Sequence, residues 1–263
     1  MGVNSSIAGL AHEGSADYPA ARRALIILTI IYMFNYMDRT ILSILAQPIK
    51  EELGLSDADI GFLGGIAFAL FYTLVGIPIA RLSDRWNRRN ILAVCLVVWS
   101  GMTAVCGMAQ SFLQLFAARV GVAIGEAGGS PATQSMISDM YPASRRASAL
   151  AVLSLGIPIG GMVGNLLGGF ANDLWGWREA FFLVGLPGVA FTFILLVLVP
   201  EPRRGAQDRV ASRDTTPPSL LTVLRELFRL RSFVTLILAS ALHAMAGYGV
   251  SLWLPSMFIR VHG

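Results

Sequence analysis

The chain has 263 residues, 55% of them hydrophobic and only 14% charged, with a formal net charge of +4. Average globular chains carry about 25% charge, so this composition describes a polytopic membrane protein and excludes an ordinary soluble domain. The positive balance then calls for no nucleic-acid partner, because lysine and arginine collect in the cytoplasmic loops of such proteins.

Residues 1–23 are polar, rich in Gly, Ser, Ala, Asp and Pro up to Arg22 and Arg23, and read as a disordered cytoplasmic tail. The apolar run that follows is too long for the core of a signal peptide, which predicts an uncleaved first span. Hydropathy predicts seven spans, at 24–47, 60–80, 90–109, 112–138, 146–171, 178–199 and 232–259. Six of them form a bundle over 24–199. The linker 200–231 follows, with a possible interfacial helix at 219–231 that Ser219 can cap and whose Leu220, Leu224, Leu227 and Phe228 share a face. An equal alternative is that this stretch begins the seventh span early. Residues 232–263 hold that span, and the chain reads as one whose second half is truncated. Arginines crowd the segments at 22–23, 81–89, 145–146 and 203–231, whereas the opposite loops hold only Lys50, Arg178 and Arg260. This asymmetry places the N-terminus in the cytoplasm and the protein in the cell membrane. Cys95 and Cys106 lie in one predicted helix about 16 Å apart along its axis, too far for a disulfide, and read as buried apolar thiols.

Two spans carry charge in their middle. In the first, Asn35, Asp38 and Arg39 interrupt an apolar run, with Tyr36 beside them; in the fourth, Arg119 and Glu126 lie two helical turns apart on one face. Four unpaired charges would cost on the order of 10–14 kcal/mol in the bilayer. Pairing Asp38 with Arg119 and Arg39 with Glu126 would relieve that cost. A static ion-pair cluster is one reading. The favoured one is a protonation site, since burial and a nearby guanidinium act on a carboxyl in opposite directions. Asp38 and Glu126 are then the proton-coupling candidates, and Arg39 and Arg119 their ion-pair partners.

The loop from Ala80 to Asn90, ARLSDRWNRRN, matches the spacing of the major facilitator signature G-x-x-x-D-R-x-G-R-R, with Asp84, Arg85, Arg88 and Arg89 in place and Ala80 and Asn87 where glycines stand. More narrowly, NYMDR at 35–39, GIPIARLSD at 76–84, RVGVAIGEAGGSPA at 119–132 and GWREAFFLVGLPG at 176–188 resemble the spinster-like branch of that superfamily. The glycine- and proline-rich stretch SLGIPIGGMVGNLLGG resembles the superfamily's fifth helix, or is ordinary small-residue packing. The resemblance covers about residues 24–262 and implies an all-α polytopic membrane protein, a six-helix bundle of the major facilitator fold plus one further transmembrane helix. It implies a proton-linked secondary transporter that works by alternating access and exports a lipid-like or amphipathic organic anion. In it Asn35 and Tyr36 would line the cavity, and Asp84, Arg85, Arg88 and Arg89 would form a conformational loop motif. An organic-anion symporter of the same superfamily and a half-transporter without activity of its own are the alternatives.

Other classes fit poorly. A retinal protein needs a lysine in its last span, and the sole lysine is Lys50. Ser100-Gly101 lacks the preceding glycine of a rhomboid-like motif, and His12, His243 and His262 form no metal cluster. The expectation is therefore no enzyme, no metal and no cofactor, with small molecule, proton and lipid bilayer as partners.

Overall fold

A computed structural model of the chain describes residues 18–207 and 220–262. It is helical, with no strand among the described residues: α1 Tyr18–Ile44, α2 Ala46–Leu53, α3 Asp57–Gly61, a π-helical turn Phe62–Ile66, α4 Ala67–Ser83, α5 Arg88–Cys106, α6 Phe112–Glu126, α7 Gly129–Met140, α8 Ala143–Ser154, α9 Gly156–Trp175, α10 Trp177–Leu198, α11 Leu220–Arg229 and α12 Arg231–His262. Among the described residues, six helices or runs of joined helices are long and apolar enough to cross a membrane: Pro19–Ile44, Asp57–Ser83, Arg88–Cys106, Ala143–Trp175, Trp177–Leu198 and Arg231–His262.

The first helix starts at Tyr18, earlier than the expected 24, because Pro19 is harmless in a first turn and Ala20, Ala21 and Arg22 are good helix formers. The fourth expected span, 112–138, is not one helix. It breaks into α6 and α7 at Ala127–Gly128. Pro131 has no N–H to donate to the carbonyl of Ala127, and its ring crowds that carbonyl. A side chain at Gly128 would lie 2.6 Å from Cys95 Sγ and 2.6 Å from Ile79, so α5 and α4 close directly on the break. Residues 18–23 of the tail expected over 1–23 are thus helical, while its residues 1–17 and the cap at Ser219 lie outside the described residues. Cys95 and Cys106 are both buried free thiols.

Glycines set the spacing of the bundle. Gly156, Gly160, Gly164 and Gly168 recur every four residues and so form one stripe of α9, all of it buried against α1. A Cβ at Gly156 would sit 2.9 Å from the carbonyl oxygen of Thr29; at Gly160 it would press into that of Met33, and at Gly164 it would come 2.9 Å from the Cα of Met37. Gly185 of α10 meets the Ser100 carbonyl of α5 in the same way, and Gly125 of α6 meets the backbone of Trp99. These are small-residue contacts of the kind that bring membrane helices together, since lipid leaves little hydrophobic drive between them. The result is two tight pairs, α1 with α9 and α5 with α10, with α6 on α5. Between α9 and α10 the chain turns at Gly176, whose φ of 100° suits only glycine without strain.

At the end of the bundle opposite the 84–89 loop, polar side chains tie the short helices down. Glu52 of α2 accepts a 2.6 Å hydrogen bond from the Trp177 indole N–H and another from Arg178, which also donates to the Ala109 carbonyl at 3.0 Å. The indole first, and Arg178 next, hold the Glu52 carboxyl below the usual carboxylate range. A carboxyl depressed in the folded state contributes stability above its unfolded value of about 4.3 and loses it as pH falls through the folded value. Thermal unfolding in detergent should therefore show a smaller loss between about pH 5 and pH 2 for Glu52→Gln than for the parent; an equal loss would mean that Glu52 is not part of the acid response.

The last helix, α12, lies against α1 and the start of the second span. Arg260 donates to both carboxylate oxygens of Asp57, at 2.7 and 3.0 Å, and to Gln47 at 3.1 and 3.2 Å, while Lys50 binds the same Asp57 at 2.7 Å. Below this cluster, Leu252 reaches into the π-helical turn, 3.0 Å from where a Cβ on Gly64 would stand. The wide π turn and its two glycines make room for the helix that crosses there.

Candidate functional site

The charged residues of α1 and α6 meet in the interior of the bundle. Asn35, Asp38, Arg119 and Glu126 are each at most 4% exposed. Arg39 Nε donates to Glu126 Oε2 at 2.7 Å, and Asn35 lies beside the same carboxylate. Arg119 meets Asp38 differently from the expected ion pair. Its guanidinium donates to the backbone carbonyl of Asp38 at 3.3 Å, and both carboxylate oxygens of Asp38 have no hydrogen-bond partner among the described residues. Thr103 of α5 neighbours that carboxylate, and its hydroxyl is also unpartnered. The fork spends one donor on that carbonyl, and its Nε has no hydrogen-bond partner among the described residues. One acid is thus paired and the other is not.

Aromatic rings surround the two guanidinium groups. The Arg39 carbon lies 5.3 Å from the ring centre of Tyr36, 5.4 Å from Phe68 and 4.9 Å from Tyr72, and the Arg119 carbon lies 5.1 Å from Phe68. Rings at these distances offer their negative faces to a cation, an interaction worth about 2 kcal/mol where water is excluded. Arg39 also donates to the Tyr248 hydroxyl of α12 at 3.2 Å. Phe68, Tyr72, Thr103 and Tyr248 went unnoticed in the sequence. Within apolar spans they look like residues facing lipid or core, and only the i, i+4 pair Phe68 and Tyr72 hints at a shared face.

At the other end, the 84–89 loop is a second charged centre. Arg88 is 1% exposed; it binds Asp139, Glu201 at 2.8 Å, Ser135 at 2.9 Å and the carbonyl of Pro202 at 2.8 Å. Arg89 donates its backbone N–H to Glu201 at 2.8 Å and its side chain to the carbonyls of Leu196 and Val199. Asp84 and Arg85 are exposed. Arg204 binds the carbonyls of Ser83, Asp84 and Trp86, and so caps the end of α4. Asp139, Glu201 and Arg204 are further residues that sequence reasoning missed. Removing Arg88 would leave two carboxylates facing each other, and loss of one partner of a buried pair costs about 3–5 kcal/mol. Arg88→Ala should lower the unfolding temperature in detergent by far more than Arg85→Ala; equal effects would show that the buried network does not hold the loop.

A helical bundle with glycine-seamed pairs, a charged interior and an arginine-rich loop between its second and third spans defines a class. A family profile described as Major Facilitator Superfamily matches residues 28–263. The chain belongs to that superfamily. Within it, the chain is a spinster-like member. It overlays the crystal structure of a bacterial homolog of the human lysosomal transporter spinster, inward-facing and unoccupied, with a TM-score of 0.80 and 38% identity over 93% of this chain and 57% of that one. An MFS-type efflux pump of Mycolicibacterium smegmatis is 35% identical over 251 residues, 94% of this chain and 57% of the relative. A sphingosine-1-phosphate transporter of Danio rerio is 30% identical over 89% of this chain and 47% of its own length. These relatives are transporters and not enzymes. The chain spans about half the length of each.

Proposed function

We propose that this chain supplies one wall of a proton-linked secondary transporter that moves a lipid-like or amphipathic organic anion, in the direction of export. The observation that carries the reading is the unequal pair of acids: Glu126 is neutralised by Arg39, while the buried carboxylate of Asp38 has no hydrogen-bond partner among the described residues. A proton on Asp38 removes a buried charge that no hydrogen bond satisfies, the Arg119 guanidinium being spent on the backbone carbonyl, whereas Glu126 gains or loses one only as Arg39 moves. Arg39 and Arg119, set among Tyr36, Phe68 and Tyr72, offer cationic heads and apolar walls to an amphipathic anion. The names of the relatives, an efflux pump and a sphingosine-1-phosphate transporter, favour export and a lipid-like cargo. In this reading residues 24–199 are the first bundle and 232–263 open the second. The 84–89 loop is cytoplasmic, as is the N-terminus, and the protein sits in the cell membrane. Substrate passes between the halves as they rock about a site near the midplane.

The test is flux from vesicles loaded with a fluorescent lysolipid anion, with and without an imposed pH gradient, for the chain and for a full-length relative. Flux that follows the gradient and collapses with a protonophore supports the proposal. Flux indifferent to the gradient overturns the coupling, and preference for a small hydrophilic organic anion overturns the cargo. Flux only from the full-length protein assigns activity to the two-bundle assembly.

A further inference from the structure

We propose that α11 is a docking surface for anionic phospholipid, lying along the membrane boundary at the 84–89 end of the bundle. Its place follows from α12. Arg260, near the far end of that helix, binds Asp57 and Gln47 at the opposite end of the bundle. The start of α12 at Arg231, and α11 before it, therefore lie at the same end as the 84–89 loop. The two helices are separate, divided at Leu230, which is not helical and closes the last turn by donating to the Leu227 carbonyl at 3.0 Å.

The helix is two-faced. At about 100° per residue, Leu224, Leu227 and Phe228 fall within an arc of about 100°, while Arg225 and Arg229 lie about 40° apart on the other side. Leu224 and Phe228 are exposed, as are Arg225 and Arg229. Phe228 packs edge-on against Phe233 in the first turn of α12, 5.9 Å between ring centres, which joins the apolar face of α11 to the apolar surface of a membrane span. An apolar stripe continuous with a span, backed by arginines, suits a helix sunk in the headgroup layer. The charge chooses the lipid. Arg225, Arg229 and Arg231 face a single acid, Glu226, and the exposed Arg81 and Arg85 lie at the same end. Each arginine near an anionic surface favours binding by about fivefold. The inference stands apart from the transport reading.

The experiment places one fluorophore on the full chain, through Phe228→Cys or, as a polar-face control, Thr222→Cys, in vesicles of phosphatidylcholine with about a quarter phosphatidylglycerol. The native cysteines are buried. Quenchers are spin-labelled phosphatidylglycerol, spin-labelled phosphatidylcholine and aqueous iodide. The label at 228 should be quenched at least about threefold more by the anionic than by the zwitterionic lipid, and the double variant R225Q/R229Q should remove that preference. Iodide should quench the label at 222 and not the one at 228. Equal quenching by the two lipids, or strong iodide quenching at 228, overturns the proposal. Protection at 228 from all three quenchers overturns it too, because a protein surface would then cover the helix.

Discussion

Asp38→Asn in a full-length transporter carrying this bundle is expected to cut proton-driven flux by about 100-fold or more, in line with the loss of a proton-transferring group. The amide keeps the shape of the side chain and takes no proton, so lysolipid binding should persist while the response to a pH gradient disappears. Glu126→Gln should also abolish coupling, with a second signature. It leaves Arg39, 2.7 Å away, without the carboxylate it binds, so this variant should lose more thermal stability than Asp38→Asn, whose carboxylate has no hydrogen bond to lose. Arg119→Lys should impair flux as well, because an ammonium cannot reproduce a planar fork. Gradient-driven flux with unchanged pH dependence in both acid variants would end the coupling assignment.

Gly160→Val is expected to be the most damaging single change to the bundle itself. The new Cβ would be driven into the Met33 carbonyl of α1 and would come 3.0 Å from the Cβ of Tyr36. Neither neighbour is the free end of a flexible side chain, so the helices must separate, at a cost of about 3 kcal/mol or more. Gly161→Val, one residue along, meets nothing closer than 3.7 Å and should be near neutral. Unfolding in mixed detergent micelles compares the two directly. Similar stabilities would show that α1 and α9 are not held by close backbone contact.

The pattern of spans and the arginine loops could be read from sequence because each depends on one stretch at a time. Hydropathy recognises α1 or α5 without knowledge of their neighbours. The break between α6 and α7 is written locally, since EAGGSP at 126–131 interrupts the apolar run and the effect of Pro131 on Ala127 needs no neighbouring helix. Arg119 and Glu126 could be placed on one face by counting, but the choice of Arg119 between a carboxylate and a carbonyl of Asp38 depends on the depth at which two helices cross. The Arg88 centre was illegible for another reason. Its partners Asp139 and Glu201 come from the end of α7 and from the linker, and only the folded bundle brings them to the loop.

Arg39 is also a shared resource between two parts of the chain. Its Nε is committed to Glu126, and an NH group is committed to Tyr248 on α12. An anionic headgroup that takes this second donor must displace the tyrosine, and so loosens one of the contacts that hold α12 to α1. Thermodynamic reciprocity then runs the other way: whatever pulls α12 from α1 frees a donor and raises the affinity of Arg39 for the anion by the same factor. Under the proposed function, a cargo that takes this donor would compete with α12 for one hydrogen bond, and occupancy of the interior would be felt at the seam without any further moving part.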